Sequence, residues 1–271
     1  MIWVDGALLD DDRATVSALD HGLTVGDGVF ETMKVLARTP VALRRHLDRL
    51  AGSAAAMGLA LPDRSVLEGA VAEVVAANGL DDCRLRLTVT GGLGPLGSGR
   101  TGSAPTVVAA VAPLEPVEPS TAVVTVPWVR NERSPLAGVK STSYGENVVA
   151  LARARQAGAT EALLANTRDE LCEGTGSNVF VVVDGRILTP PLSSGCLAGI
   201  ARALVLEAAD VTEVPLPYAV LATADEVFLT SSIRDVQPVH AVDGRPLPAP
   251  GPRTRDAIAA YRRLLATTLD P

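Results

Sequence analysis

Aromatic side chains are scarce in this chain: two Trp, three Tyr and three Phe make up 3% of 271 residues. A core must therefore be assembled from Ala, Val and Leu. Cysteine is equally thin, with Cys83, Cys172 and Cys196 far apart in no metal or redox spacing. An odd, sparse count of this kind predicts unpaired structural thiols in a reducing, cytoplasmic setting and no metal site. Positive charge is in deficit, the net charge being −7, which argues against the clustered Lys and Arg of a nucleic-acid surface. No apolar run approaches the roughly 20 residues of a membrane helix. The first residues show no basic segment followed by an apolar core, which predicts no signal peptide.

What remains is the profile of a soluble globular protein, 47% apolar and 20% charged. A chain of 271 residues exceeds what one ordinary core organises, so two domains are expected. The chain opens on a hairpin pattern, Ile2-Trp3-Val4 and Ala7-Leu8-Leu9 around the turn Asp5-Gly6. A strand is expected over 29–36, a short returning strand over 41–43, and helices over 43–57 and 65–77. The stretch 84–90 alternates as a strand, and 106–111 is a β-rich apolar run. The segment 113–119 holds three prolines in seven residues, which blocks helix and central strand alike. This places a small N-terminal α/β domain at 1–113, a linker at 114–120 and a larger domain at 121–271. The second half interleaves strands (161–164, 179–183, 226–230) with helices (147–156, 199–208, 254–266). The whole reads as an α/β (α+β) protein, the larger domain carrying a mixed β-core surrounded by helices.

Four stretches stand out chemically. They are Gly26-Asp27-Gly28-Val29-Phe30-Glu31, the helix from Leu43 to Leu50, Gly138-Val139-Lys140-Ser141-Thr142-Ser143-Tyr144, and Cys172-Glu173-Gly174-Thr175-Gly176-Ser177-Asn178. Singly, each has an ordinary explanation. A lysine in a polar loop is usually solvated, a glycine-rich loop is usually a turn, and Arg49 beside Arg45 suits a solvated helix face. His46 lines up with the apolar stripe and is read as a packed core histidine, His21 as a loop residue ordering the entrance. Taken in order, followed by Thr189-Pro190-Pro191 and Leu197-Ala198-Gly199-Ile200, they resemble the fold-type IV pyridoxal-phosphate family. That family includes branched-chain aminotransferases, D-amino acid aminotransferases and aminodeoxychorismate lyases.

The resemblance implies the roles. Lys140 matches the family lysine that holds the pyridoxal phosphate aldehyde. The same amine, once released, moves a proton at the substrate α-carbon. An ordinary lysine titrates near about 10.4, so a site using it as a base has to lower that value. Glu173 matches the carboxylate that keeps the pyridine nitrogen protonated and the ring electron-withdrawing. Arg49 matches the phosphate arginine. Gly199-Ile200-Ala201 opens a helix whose free N–H groups suit an anion, Ser232 matches a phosphate-binding hydroxyl, and Gly176 allows close backbone approach. Relatives commonly carry Thr where this chain has Ala201, so a hydroxyl contact is missing there. Tyr144 is a candidate for the cofactor's ring hydroxyl. Arg86 and Phe30 are candidates on the substrate side.

The resemblance fixes the cofactor better than the reaction. The loop 91–100 lacks the Arg-His pair of D-amino acid aminotransferases, and branched-chain enzymes are longer and richer in aromatics. Chain length and the Gly-Asp-Gly-x-Phe start favour the lyase, which converts 4-amino-4-deoxychorismate to 4-aminobenzoate and pyruvate, a folate precursor step. Glu31 is more aminotransferase-like, and a class IV aminotransferase acting on branched-chain or other amino acids with a 2-oxo acid is the alternative. A non-catalytic pyridoxal-phosphate protein is a minor third reading. A homodimer without nucleic-acid or membrane partners is expected.

Overall fold

The computed structural model describes residues 1–271 as two compact units. The first comprises Met1–Glu115 together with Val139–Ser143 and Asp270. The second comprises Pro116–Gly138 and Tyr144–Leu269 with Pro271. The segment that carries Lys140 thus clusters with the first unit, although its position in the chain had placed it with the larger domain.

The first unit holds strands β1 (Ile2–Val4) and β2 (Ala7–Leu9), the short helix α1 (His21–Thr24), β3 (Gly28–Leu36), β4 (Thr39–Pro40), helices α2 (Leu43–Ala56) and α3 (Arg64–Asn78), β5 (Cys83–Thr90) and β6 (Thr106–Pro113). Its antiparallel sheet runs β2-β1-β6-β5-β3-β4. Strand β5 shows why. Cys83, Leu85, Leu87 and Val89 are fully buried, whereas Arg84 and Arg86 are exposed, the period of two that a one-sided sheet demands. Leu47, Leu50 and Ala54 of α2 and Leu67, Val71 and Val74 of α3 complete this core. Each buried Leu or Val contributes about 1.5–3 kcal/mol of hydrophobic stabilisation. The strand expected at 41–43 does not form. Ala42 has φ 55° and caps α2, so the chain turns there directly from β4 into the helix.

The second unit holds β7 (Thr121–Arg130), α4 (Gly145–Gln156), β8 (Glu161–Asn166), β9 (Leu171–Gly174), β10 (Asn178–Val183), β11 (Arg186–Thr189), α5 (Ile200–Ala208), β12 (Val211–Glu213), β13 (Glu226–Ser231), β14 (Asp235–Val242), β15 (Arg245–Pro246) and α6 (Pro252–Thr267). Its mixed sheet runs β12-β11-β10-β13-β14-β7-β8-β9, with β15 on β14. β7 lies parallel to both β14 and β8. The central strands β10 and β13 are covered on both faces, and each carries an apolar run, 179–183 and 227–229. Phe180 of β10 stacks on Phe228 of β13 with ring centroids 4.7 Å apart, so two of the three phenylalanines anchor this core. No helix is long and apolar enough to cross a membrane.

Candidate active site

In the first unit the segment Val139–Ser143 lies along the start of β3. Phe30 N–H donates to Lys140 O at 3.0 Å, Thr142 N–H to Gly28 O at 2.8 Å, and Val29 bridges Ser141. Lys140 N–H donates to Ser53 Oγ of α2 at 3.2 Å. Gly28 makes this docking possible, because a Cβ there would stand 2.9 Å from Val89 O and 3.0 Å from Thr142 Oγ1. The consequence is a lysine fixed by backbone bonds on both sides of its Cα. Its Nζ lies 4.5 Å from the Phe30 ring centroid, and the Arg86 guanidinium lies 3.7 Å from the same centroid. Lys140, Phe30 and Arg86 are therefore brought together. The chain has only one other lysine, Lys34, buried in β3.

Behind them lies a buried charge network. Glu31, fully buried, accepts from Arg49 Nε at 2.8 Å and Nη2 at 2.6 Å, and pairs with His46 Nδ1 at 2.6 Å. A carboxylate is an acceptor only, so His46 carries its proton on Nδ1. Burial opposes ionisation of Glu31, but Arg49's charge and the bonds from Arg49 and His46 outweigh it and hold the carboxyl down at about 2. Burial lowers His46, and the charges of Arg49 and Lys140 lower it further against the pull of Glu31. His46 is buried as expected, yet as a hydrogen-bonded member of an ionic network and not by apolar packing. Arg49 is not on a solvated face: Glu31 grips one edge of its guanidinium and sets its orientation.

The loop 91–100 is tied down within the same unit. Arg100 Nε donates to Asp27 Oδ2 at 2.7 Å and Nη2 to Asp27 Oδ1, while Nη1 donates to Gly58 O. Hydrogen bonding from Arg100 lowers the Asp27 carboxyl despite partial burial. His21 is buried as the first residue of α1, with Nδ1 3.4 Å from Asp27 and Nε2 3.1 Å from Pro95 O.

In the second unit Glu173 is the penultimate residue of the buried strand β9. It accepts from Leu197 N–H at 2.9 Å, and Arg130 Nε stands 3.2 Å from its Oε1. Arg130, on the last residue of β7, is held by Asn147 Oδ1 at 3.4 Å, and Asn147 in turn donates to Thr175 O. A carboxylate held in this place is of the type that can face a protonated ring nitrogen. Arg130 Nε is itself buried with no hydrogen-bond partner, and the guanidinium is balanced by ion pairs with Glu173 and with Glu146, whose Oε2 lies 3.4 Å from Nη1. No motif pointed to Arg130; only the strand β7, unexpected from the sequence, brings it to Glu173.

The expected anion-binding elements gather at one end of the second unit's sheet. β10 begins at Asn178 opposite Thr230 of β13, so the turn 174–177 before β10 and the turn 231–234 after β13 emerge side by side. Asn178 Nδ2 donates to Leu197 O at 2.9 Å, joining the start of α5 to the same end. Gly199 caps α5 with no side-chain bond to its first N–H groups, those of Ile200 and Ala201 among them. A Cβ on Gly199 would strike Asn178 Oδ1 at 1.9 Å. Gly176 differs: no protein atom lies within 4 Å of where its Cβ would sit. The chain's own packing does not require glycine there. Tyr144 is the half-buried residue preceding α4. The residue types and their openness fit pyridoxal phosphate.

A family model for amino-transferase class IV matches residues 28–242. A Methanocaldococcus jannaschii protein provisionally assigned as a branched-chain-amino-acid aminotransferase is 36% identical over 90% of this chain and 88% of its own. The D-alanine aminotransferase of Bacillus licheniformis is 33% identical over 96% of this chain and 95% of its own. The crystal structure of a Thermoproteus uzoniensis branched-chain aminotransferase with norvaline superposes with a TM-score of 0.91 at 32% identity, covering 98% of this chain and 94% of that one. A Legionella pneumophila structure provisionally assigned as 4-amino-4-deoxychorismate lyase has a TM-score of 0.87 at 24% identity over 94% of this chain and 97% of its own, a likeness of fold. The relatives thus favour amino-group transfer over the lyase reaction that chain length had suggested. The family uses pyridoxal phosphate, and solved relatives include a form with it bound. The chain belongs to the class IV aminotransferases and is a pyridoxal-phosphate enzyme.

Proposed function

We propose that this enzyme transfers the amino group of branched-chain, aliphatic L-amino acids to a 2-oxo acid. The observation that carries the substrate reading is the Asp27–Arg100 pair. Arg100 is the one basic residue of the loop 91–100, where D-amino acid aminotransferases carry an Arg-His pair; Asp27 takes the Nε–Nη2 edge of its guanidinium and Gly58 O takes Nη1, so both edges are occupied. A guanidinium so engaged is not presented to a substrate carboxylate. The likeness to branched-chain enzymes supports the same choice.

When bound, pyridoxal phosphate supplies an aldehyde that condenses with amines and a ring that withdraws electrons from the substrate α-carbon. Lys140 would hold the aldehyde through Nζ, and its released amine would be the group that takes and returns the proton at the substrate α-carbon. Glu173, paired with Arg130, would face the pyridine nitrogen and favour its protonated form. Gly176, the N–H groups of Ile200 and Ala201 after Gly199, the Ser232 hydroxyl and the Arg49 guanidinium bind phosphate. Tyr144 serves the ring hydroxyl. Phe30 presents an apolar face beside Lys140, and Arg86 lies ready to meet a substrate carboxylate. On the family's pattern the enzyme is a homodimer, and its unpaired cysteines suit the cytoplasm.

The test is a donor panel with 2-oxoglutarate: L-leucine, L-isoleucine, L-valine and D-alanine, beside 4-amino-4-deoxychorismate alone. The three L-amino acids are expected to yield their keto acids at least about tenfold faster than D-alanine yields pyruvate, the discrimination that pocket contacts commonly supply. D-Alanine as the fastest donor would make this a D-amino acid enzyme, and 4-aminobenzoate with pyruvate would restore the lyase.

A further inference from the structure

Glu161 opens β8 and is fully buried, which for a carboxylate demands compensation on every side. It finds this compensation in two separate turns. From the turn 174–177 it accepts Thr175 N–H at 2.9 Å, the Thr175 hydroxyl and Ser177 Oγ at 2.9 Å. From the turn 231–234 it receives Arg234 Nη1 at 3.1 Å. Arg234 N–H also donates to Ser231 Oγ at 3.1 Å, which closes that turn on itself. Gly174 leaves room for the carboxylate, since a Cβ there would come within 3.1 Å of Glu161 Cδ. One anion therefore ties the turn containing Gly176 to the turn containing Ser232, at ends of strands that are neighbours in the sheet. Neither Glu161 nor Arg234 belongs to the recognised motifs.

We propose that Glu161, acting through Arg234, is a positioning residue that sets the spacing of these two turns and thereby the enzyme's grip on the cofactor's phosphate group. The proposal rests on the reading of Gly176 and Ser232 as phosphate ligands. The physical reason is that a phosphate needs donors converging within a few tenths of an ångström. Backbone turns hold such convergence only when something rigid joins them. A doubly anchored buried carboxylate does so, and Arg234 neutralises it so that its charge does not repel the dianion nearby.

The experiment compares binding of pyridoxal phosphate with binding of pyridoxal, which lacks the phosphate, to the full-length chain after cofactor removal, followed by absorbance. The variants are Glu161→Gln, Arg234→Ala, their double, and Ser232→Ala. Glu161→Gln and Arg234→Ala are expected to weaken pyridoxal phosphate about tenfold each, the scale of a charge-assisted contact. Pyridoxal binding should stay within about twofold, and the double should be no worse than the weaker single, because both remove one linkage. Arg234 is a quarter exposed, so Arg234→Ala keeps the test open if Glu161→Gln fails to fold. Equal losses for both ligands would reduce Glu161 to a structural role and overturn the proposal. Loss of phosphate discrimination in Ser232→Ala alone would overturn the clamp and leave the phosphate reading standing. Retained discrimination in all variants would overturn both.

Discussion

Two glutamates with no solvent exposure, Glu31 in the first unit and Glu161 in the second, solve the same problem in opposite ways. Glu31 is compensated by side-chain charge, the Arg49 guanidinium and the His46 ring, both projecting from one helix. Glu161 is compensated mainly by a backbone N–H and two hydroxyls of a turn, with Arg234 added from a second turn. The first arrangement fixes where a cation points. The second fixes how backbone donors are spaced. Residues that bind by charge need the former support, and residues that bind by main-chain N–H need the latter.

The comparison predicts unequal responses to deleting the carboxylate. Glu31→Ala removes the buried carboxylate that both Arg49 and His46 bond and should destabilise the protein by about 3–5 kcal/mol in denaturant unfolding. Glu161→Ala strands neutral donors and an arginine that can turn to water, so the loss should be nearer 1–3 kcal/mol. A larger loss at Glu161 than at Glu31 would break the distinction between charge support and backbone support.

Acid should act on His46 before it acts on Glu31. His46 has its pKa lowered by folding, so the unfolded chain binds its proton more readily. Its contribution is present above the ordinary histidine value of about 6.5 and is lost as pH falls below that. Glu31, held at about 2, loses its contribution next, between the ordinary glutamate range and about 2. Thermal unfolding of the wild type should therefore decline between about pH 7 and 5, and His46→Gln should flatten that decline. A His46→Gln profile parallel to wild type would mean that His46 does not titrate on unfolding in this window.

The smallest effect belongs to the latch. Arg100→Ala removes a pair in which the arginine is a third exposed, so stability should change by no more than about 1 kcal/mol. Cleavage by trypsin-free proteases within 91–104 should nonetheless quicken, because Arg100 joins that loop to both Asp27 and Gly58. An unchanged cleavage rate would show that the backbone bonds of Gly91 and Gly94 hold the loop unaided.

Much of this was legible in the sequence where period and motif coincide. Strand β5 announces its buried face by alternation, and α3 announces its end by Gly79 in the left-handed conformation. β7 and β14 were not legible, because Pro127 and Pro238 argue against strands. The structure accommodates Pro127 with a register shift between Thr125 and Val129, whereas Pro238 stands in regular register opposite Phe228. Lys140, Glu173 and Arg49 could be named from their surroundings. Glu31 stood in a motif, but its bonds to Arg49 and His46 were not legible, and Arg130, Glu161 and Arg234 could not be named, because each acts on a partner that is distant in the chain and adjacent only after folding. His46 and Arg49, three apart on α2, were the one available hint that a buried anion faces that helix.

The central claim is that Lys140 is the amine that holds the cofactor, and the chain's two lysines make it unusually clean to test. Borohydride reduction of the pyridoxal-phosphate-loaded protein, followed by digestion and mass spectrometry, fixes the label in place. The account predicts a phosphopyridoxyl group on Lys140 alone. A label on Lys34, or no lysine label in protein that converts L-leucine to its keto acid, would contradict it.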